Sequence, residues 1–176
     1  NFDTERVYTN MMTRFKYGGI DKKGIYLDET VMRMCYTHRR LFAQLALHLV
    51  AESKFDKAKK VLAYADKMIP AYNVPMNYLS GGLDIAKAYA LVGNKAKAAE
   101  YTKAVFNNAH QYMVWYNSLT GSRFTQAQQD CMMHIYVMNM CVENAVLFDK
   151  TLAGKLEAQF SKDLEVYHSK GGVMPQ

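Results

Sequence analysis

Cysteine and histidine side chains lie close together in one stretch of the sequence, where they could bind a metal ion. Cys131 and His134 are three residues apart, a spacing that places two side chains on one helix face, and Cys141 follows further along. Two ligands do not complete a zinc site, and both residues fall on the apolar positions of a predicted helix. The sequence therefore favours core packing for this cluster and predicts no metal ion or other cofactor.

Patterns typical of catalysis are weak. No serine has the sequence context of a nucleophile elbow. Gly93-Asn94-Lys95 lacks the earlier glycine of a phosphate-binding loop and is typical of a turn between helices. Asp28 and Glu29 are adjacent carboxylates, but helix capping explains them better than paired acid–base catalysis. We therefore predict no catalytic residue in this chain.

A short basic segment could bind a partner. His38-Arg39-Arg40 follows Tyr36 closely, and arginine offers a forked set of donors that suits phosphate or carboxylate groups. Tyr36, Arg39 and Arg40 are therefore the candidate partner-binding residues. The alternative is an ordinary solvated helix face.

The charge distribution does not favour nucleic acid as a partner. The 176-residue chain carries a net charge of +6, and residues 1–70 contain 13 basic and 8 acidic side chains. Residues 125–176 contain 4 basic and 6 acidic side chains. An excess this diffuse does not form a nucleic-acid interface by itself.

The elements that must position these residues are helices. Three prolines, ten glycines and few runs of β-branched residues predict an all-α chain. Asp3, Asp28 and Thr125 are predicted to cap helices. The predicted elements are a short helix at 3–17, helix pairs at 28–70, 82–117 and 125–168, and a flexible tail at 169–176.

The helix that follows Asp28 has the clearest amphipathic pattern. Its apolar positions recur every three or four residues, which predicts one buried stripe. They are Val31, Met34, Cys35, His38, Leu41, Phe42, Leu45 and Leu49. Most lysines of the following helix are expected to face solvent, and Pro70 ends that helix.

The pair at 28–70 also fits the tetratricopeptide pattern. Phe42, Leu45 and Ala46 match its first helix, while Ala58 and Pro70 match its second. The small side chains of Ala46 and Ala58 would let the two helices approach closely. The second pair repeats the pattern at an offset of 40 residues, against roughly 34 in the family, which indicates an insertion before it. We predict one domain of antiparallel pairs stacked as a short tetratricopeptide-like right-handed solenoid; the alternative is a generic helical bundle.

Two features concern the context of the chain. The most apolar stretch, residues 41–51, is about half as long as the roughly 20 residues a bilayer span needs. The sequence begins at Asn1 without a signal-peptide pattern, so we expect a fragment or a processed product.

Several short segments carry a resemblance to a known family. They are residues 8–19 (YTNMMTRFKYGG), 24–29 (GIYLDE), 33–34 (RM), 42–46 (FAQLA), 57–62 (KAKKVL), 68–70 (MIP), 73–75 (NVP) and 86–89 (AKAY). On these segments the chain resembles the C-terminal soluble region of a bacterial family of multi-spanning membrane proteins of unknown function. That family is related to GT-C glycosyltransferases of the protein O-mannosyltransferase type. The resemblance covers residues 7–110, whereas residues 118–176 match no motif of the family.

The resemblance implies a membrane-embedded N-terminal part followed by this tetratricopeptide-like region, on the extracytoplasmic (periplasmic) side. The catalytic acids of such transferases lie in loops between membrane helices, so none transfers to this chain. The expected function is a non-catalytic interaction or scaffolding domain whose partner is a protein or peptide, including its own membrane-embedded part. The alternatives are a homodimerisation module or, less favoured, a small metal-binding or enzymatic domain using Cys131 and His134.

Overall fold

The computed structural model describes residues 2–173, and the regular elements within them are helices. The helices are α1 (Thr4–Thr9), α2 (Glu29–Ala51), α3 (Phe55–Met68), α4 (Gly82–Leu91), α5 (Lys95–Ser118), α6 (Gly121–Val146) and α7 (Lys150–Ser169). A π-helical segment, Asn10–Arg14, continues α1. The all-α fold class is confirmed, while the right-handed solenoid stacking of the pairs stays a prediction.

The chain divides into two compact units, Asn1–Tyr101 and Thr102–Gln176. The first contains α1 to α4 and the first residues of α5. The second contains the rest of α5 together with α6 and α7. The predicted partner-binding residues belong to the first unit, and Cys131 and His134 belong to the second.

Helix α2 is the centre of the first unit. It packs against α1, α3 and α4. Phe42, Leu45 and Ala46 of α2 are completely buried, and so are Ala58 and Leu62 of α3. The small residues of the predicted repeat pattern therefore lie inside the α2–α3 packing, where their size matters most.

The predicted helix starts are confirmed at two positions and wrong at a third. Oδ1 of Asp3 accepts a hydrogen bond from the Arg6 amide at 3.0 Å, and Oδ1 of Asp28 accepts one from the Val31 amide at 2.8 Å. Thr125 is not a cap, because α6 begins at Gly121. The Thr125 hydroxyl instead donates to the Gly121 carbonyl one turn earlier, at 3.4 Å.

Two irregular segments of the first unit are joined by side chains. Asn73 lies in the connection between α3 and α4, and its Nδ2 donates to the carbonyls of Ile20 (2.6 Å) and Lys22 (2.7 Å). The hydroxyl of Tyr72 donates to the Asp21 carbonyl. These bonds hold the loop 15–28, which precedes α2, against the connection 69–81.

The second unit packs three helical segments together. Helix α6 packs against α7. Nδ2 of the buried Asn144 on α6 donates to the buried Thr102 hydroxyl on α5 at 2.9 Å. Phe124 at the start of α6 lies with its ring centroid 5.7 Å from that of Tyr167 near the end of α7. None of the helices within residues 2–173 has the length and hydrophobicity that crossing a bilayer requires.

Candidate functional site

The outer face of α2 forms a groove of about 730 Å³, here called the α2 groove. It is lined by side chains of α2 and by Leu27 and Leu79 from the segments on either side of that helix. Its principal lining residues are Leu27, Met32, Arg33, Tyr36, Arg40 and Leu79. Two of the three predicted partner-binding residues, Tyr36 and Arg40, therefore lie together in it.

Helical spacing explains how α2 builds this groove. The cap at Asp28 fixes where the helix begins. Arg33, Tyr36 and Arg40 then follow at intervals of three and four residues, which places them on one face. Arg33 is not among the residues predicted to bind a partner, although the same spacing identifies it.

Two side chains of the groove, Arg33 and Tyr36, have partners within the protein. Arg33 pairs with Glu29 at 2.5 Å, but both side chains are more than 70% exposed (75% and 79%), so the pair contributes little to stability. The Tyr36 hydroxyl accepts a hydrogen bond from Nδ2 of Asn77 at 3.4 Å. Arg33 uses only Nη2 for Glu29, so its other donors can serve a partner.

Arg40 is exposed, and the first part of its side chain lies close to the backbone at Gly81. A Cβ atom added to Gly81 would lie 2.6 Å from Cγ of Arg40 and 3.2 Å from its Cα. The backbone of the connection therefore runs directly along this side chain. Leu79, from the same connection, is 50% exposed and adds an apolar contact area beside it.

The structure overturns the expectation for Arg39, which is 2% exposed and does not reach the groove. Its Nη2 donates to the carbonyls of Ile69 (2.9 Å) and Val74 (2.6 Å), and its Nη1 donates to that of Pro75 (3.3 Å). Both guanidinium ends thus bind the connection between α3 and α4. Arg39 is a structural residue and not a partner-binding one.

Burial lowers the pKa of Arg39, but the side chain keeps its positive charge. Burial lowers its pKa to about 10, and the nearby Tyr101 and Asp66 oppose that decrease. The side chain is therefore still a cation at neutral pH. Its charge-assisted hydrogen bonds compensate for burying it.

The buried face of α2 includes Arg39 and differs in part from the apolar stripe that the sequence predicts. Met34, predicted to lie inside, is 57% exposed, whereas Phe42, Leu45 and Leu49 of the stripe are completely buried as predicted. Periodicity assigns the inner face by hydrophobicity alone. It misses a cation that faces inward because backbone carbonyls surround it.

Cys131 and His134, the residues considered as metal ligands, lie inside the second unit. Cys131 (1% exposed) has its Sγ 3.5 Å from Sδ of Met113, and His134 (5% exposed) stacks on Tyr112 with ring centroids 4.4 Å apart. Nδ1 of His134 lies 2.8 Å from the Asp130 carbonyl. Among residues 2–173, no three histidine, cysteine, aspartate or glutamate side chains form a group that could hold a metal ion. The burial of Cys131 and His134 agrees with their predicted place in the core.

A hydrogen-bonded pair that the sequence did not reveal joins α5 to α7. Nδ1 of His110 lies 2.6 Å from Oδ2 of the buried Asp163. Nε2 of Gln159 donates to the other carboxylate oxygen at 3.3 Å, and Nδ2 of Asn117 donates to the Asp163 carbonyl at 3.2 Å. Residues 53 positions apart carry no local pattern, so only the fold could show this pair.

A second groove of the first unit, of about 900 Å³, is rich in lysine. Lys59, Lys67, Lys95 and Lys97 line it. Lys97 is already engaged: its Nζ lies 3.0 Å from Glu100, 3.8 Å from Asp66 and 4.9 Å from the Tyr101 ring centre. Because of these contacts, the lysine-rich groove is a weaker candidate than the α2 groove for binding a charged partner.

Comparison with known proteins leaves the family open. No family model matches the chain, and neither a curated protein nor a solved structure matches it. The membrane glycosyltransferase-like family suggested by residues 7–110 therefore stays a hypothesis that rests on the sequence segments given above.

Proposed function

We propose that this chain is a non-catalytic helical-repeat interaction domain whose α2 groove binds an extended, acidic segment of a protein partner. The observation that carries the proposal is the convergence of Arg33, Arg40, Tyr36 and the exposed Leu79 on one groove. Arginine and tyrosine are the residues that most often dominate protein interfaces, and an aliphatic neighbour excludes water around them.

The charges that line the α2 groove indicate which kind of partner segment it binds. The groove contains two arginines and one carboxylate, Glu29, which is almost fully solvated. An acidic side chain of the partner can pair with Arg40, on which Asp84 of α4 also acts electrostatically, and can compete with Glu29 for Arg33. Apolar partner residues then cover Leu79 and Met32. The preferred segment therefore alternates acidic and aliphatic residues.

The wider context of this domain is part of the same proposal. The resemblance of residues 7–110 supports a C-terminal module of a glycosyltransferase-like integral membrane protein, on the periplasmic side. In that setting the partner segment belongs to the membrane-embedded part of the same protein or to an acceptor protein. The coding sequence upstream of residue 1 tests this: several spans of about 20 apolar residues support it, and a start codon directly before Asn1 overturns it.

Peptide binding tests the groove itself. Fluorescence anisotropy of the full chain with two labelled peptides of equal length, one alternating Glu and Leu and the other Lys and Leu, measures the charge preference. We expect the acidic peptide to bind, and Arg33→Glu/Arg40→Glu to weaken that binding at least about tenfold, which corresponds to about 1.4 kcal/mol.

The matched control reverses the same number of charges elsewhere. Arg14→Glu/Arg123→Glu changes two exposed arginines outside the groove and gives the same net charge. We expect it to keep most of the affinity. Equal weakening by both double variants would show that only net charge matters, and undiminished binding by the groove variant would exclude this surface.

A further inference from the structure

A third cavity of the first unit lies on another part of α2, under the loop 15–28. Its volume is about 580 Å³, within the roughly 300–1,000 Å³ typical of small-molecule sites. Apolar side chains form most of its walls, among them Tyr17, Ile25, Val31 and Ile69. We call it the loop cavity.

The loop that covers this cavity is held in place. Asn73 donates to the carbonyls of Ile20 and Lys22, and Tyr72 donates to that of Asp21. Within the loop, the Lys22 amide donates to the Gly19 carbonyl at 3.0 Å. Because the connection 69–81 holds this loop, the cavity exists before a ligand binds. Binding then costs less conformational entropy.

The charges at the cavity have one sign. Lys16 and Lys22 line it, and among the described residues that line it none carries a carboxylate. The Lys22 side chain lies over Gly19, since a Cβ added there would be 3.4 Å from Cε and 3.8 Å from Nζ of Lys22. Its ammonium group is thereby kept beside the loop. Two cations beside apolar walls suit a ligand with an anionic head and an apolar body.

His38 adds unused hydrogen-bonding capacity to the same cavity. It lines the wall, and its Nδ1 is buried without a hydrogen-bond partner in the described part of the chain. Such an orphaned group destabilises the unliganded protein. The ring lies edge-on to Phe15 and Tyr17, with centroids 5.8 and 5.7 Å away. A polar head bound beside this ring can supply the missing hydrogen-bond partner.

From this geometry we propose that the loop cavity binds a small apolar monocarboxylate, with its hydrocarbon body between the loop and α2 and its carboxylate at Lys16, Lys22 and His38. The site is distinct in chemistry from the α2 groove, which presents arginines to a peptide. Ligand binding here therefore goes beyond the peptide-docking function and does not depend on it.

Calorimetric titration of the full chain with decanoate, decanol and decylamine tests the proposal. The three probes share one hydrocarbon body and differ in the charge of the head. We expect decanoate to bind at least tenfold more tightly than decanol and decylamine to bind most weakly. Nuclear magnetic resonance shifts should move at Ile25, Val31 and His38.

Variants separate the head-group contacts from the apolar contacts. Lys16→Met/Lys22→Met removes both charges and keeps the aliphatic stems, so it should weaken decanoate at least tenfold and leave decanol unchanged. His38→Phe keeps the edge-on aromatic contacts and should weaken decanoate several-fold. The control Lys59→Met/Lys67→Met removes two lysines from the other groove and should leave decanoate affinity unchanged.

Three results would overturn the proposal. Decanol binding as tightly as decanoate would show a non-specific apolar hollow. Equal losses in the two lysine double variants would show an effect of net charge alone. No binding of any probe by the folded wild-type chain would exclude the site altogether. The lysine variants replace exposed side chains, and circular dichroism verifies that these variants and His38→Phe remain folded.

Discussion

Arg39 and Arg40 are neighbours in the sequence and have opposite environments. Arg39 is buried and bonded to three carbonyls of the connection 69–81, whereas Arg40 is exposed in the α2 groove. The 100° step between successive helix residues separates them. Their side chains are identical, so any difference between their variants reports on environment alone.

Replacing Arg39 should therefore destabilise the chain far more than replacing Arg40. Arg39→Met leaves three carbonyls without their donors and should cost about 3 kcal/mol or more of unfolding free energy. Arg40→Met keeps the stem against Gly81 and should cost less than about 0.5 kcal/mol. Urea denaturation of both variants measures the difference. Equal losses would contradict the assignment of Arg39 to the interior.

Asp66 is a second residue whose environment determines its behaviour. Its Oδ2 accepts a hydrogen bond from the Tyr89 hydroxyl at 2.7 Å. Burial raises the pKa of its carboxyl above the ordinary value of 3.8, and hydrogen bonds from Tyr89 and Tyr101 oppose that rise. Folding therefore disfavours the charged form of this carboxyl.

This raised pKa gives a pH dependence with a definite sign. Because the folded protein holds the proton more tightly than the unfolded chain, the contribution of Asp66 to stability falls as pH rises above 3.8 through the folded pKa. Asp66→Asn lacks that titration. The stability of the wild type minus that of Asp66→Asn should therefore decrease between acidic and neutral pH. Urea denaturation across this range measures it, and a pH-independent or increasing difference would refute the assignment.

The connection 69–81 is the element that shapes the first unit. It supplies the carbonyls that bind Arg39, the side chains that hold the loop 15–28, and Leu79 of the α2 groove. Gly81, at its end, has φ of +72° and caps α4. One irregular segment thus positions both the groove and the loop cavity.

Gly81 should tolerate a side chain less well than Gly93. Both have positive φ, +72° and +84°, so alanine is strained at either position. A Cβ at Gly81 also meets the Arg40 stem and α2 backbone, whereas nothing lies within 4 Å of one at Gly93. We expect Gly93→Ala to cost about 1 kcal/mol and Gly81→Ala about 2 kcal/mol or more. Thermal denaturation compares the two, and equal costs would show that the close approach is absent.

Over the whole molecule, the three cysteines lie in the interiors of the two units. Cys35 is 2%, Cys131 1% and Cys141 0% exposed, and all three thiols are free. Burial raises the pKa of Cys131 to about 11 and that of Cys141 to about 12, and it raises that of Cys35 as well. Reactive thiolate is therefore scarce in both units at neutral pH.

Thiol labelling tests the packing of both units together. The native chain should react with a thiol-specific disulfide reagent at pH 8 only over hours, because reaction requires local opening. The guanidinium-unfolded chain should label all three cysteines within minutes. Cys35→Ser, Cys131→Ser and Cys141→Ser identify which thiol reacts. Rapid labelling of a native cysteine would show that its unit is not packed as described.

The sequence by itself determined the helical class and several helix starts. The caps at Asp3 and Asp28 and the buried repeat positions Ala46 and Ala58 follow from spacing and side-chain type, which act within a few residues. Tyr36 and Arg40 were among the predicted partner-binding residues, and their spacing of four places them on one face of α2.

Only the tertiary structure decided which arginine is buried, how Leu79 reaches the groove and where the loop cavity lies. Each depends on the path by which the connection 69–81 returns across α2, and hydrogen bonds such as that of Asn73 to Ile20 span 53 positions. Periodicity describes one helix at a time. It carries no information about which backbone carbonyls a distant segment brings to that helix, and those carbonyls determine the role of Arg39.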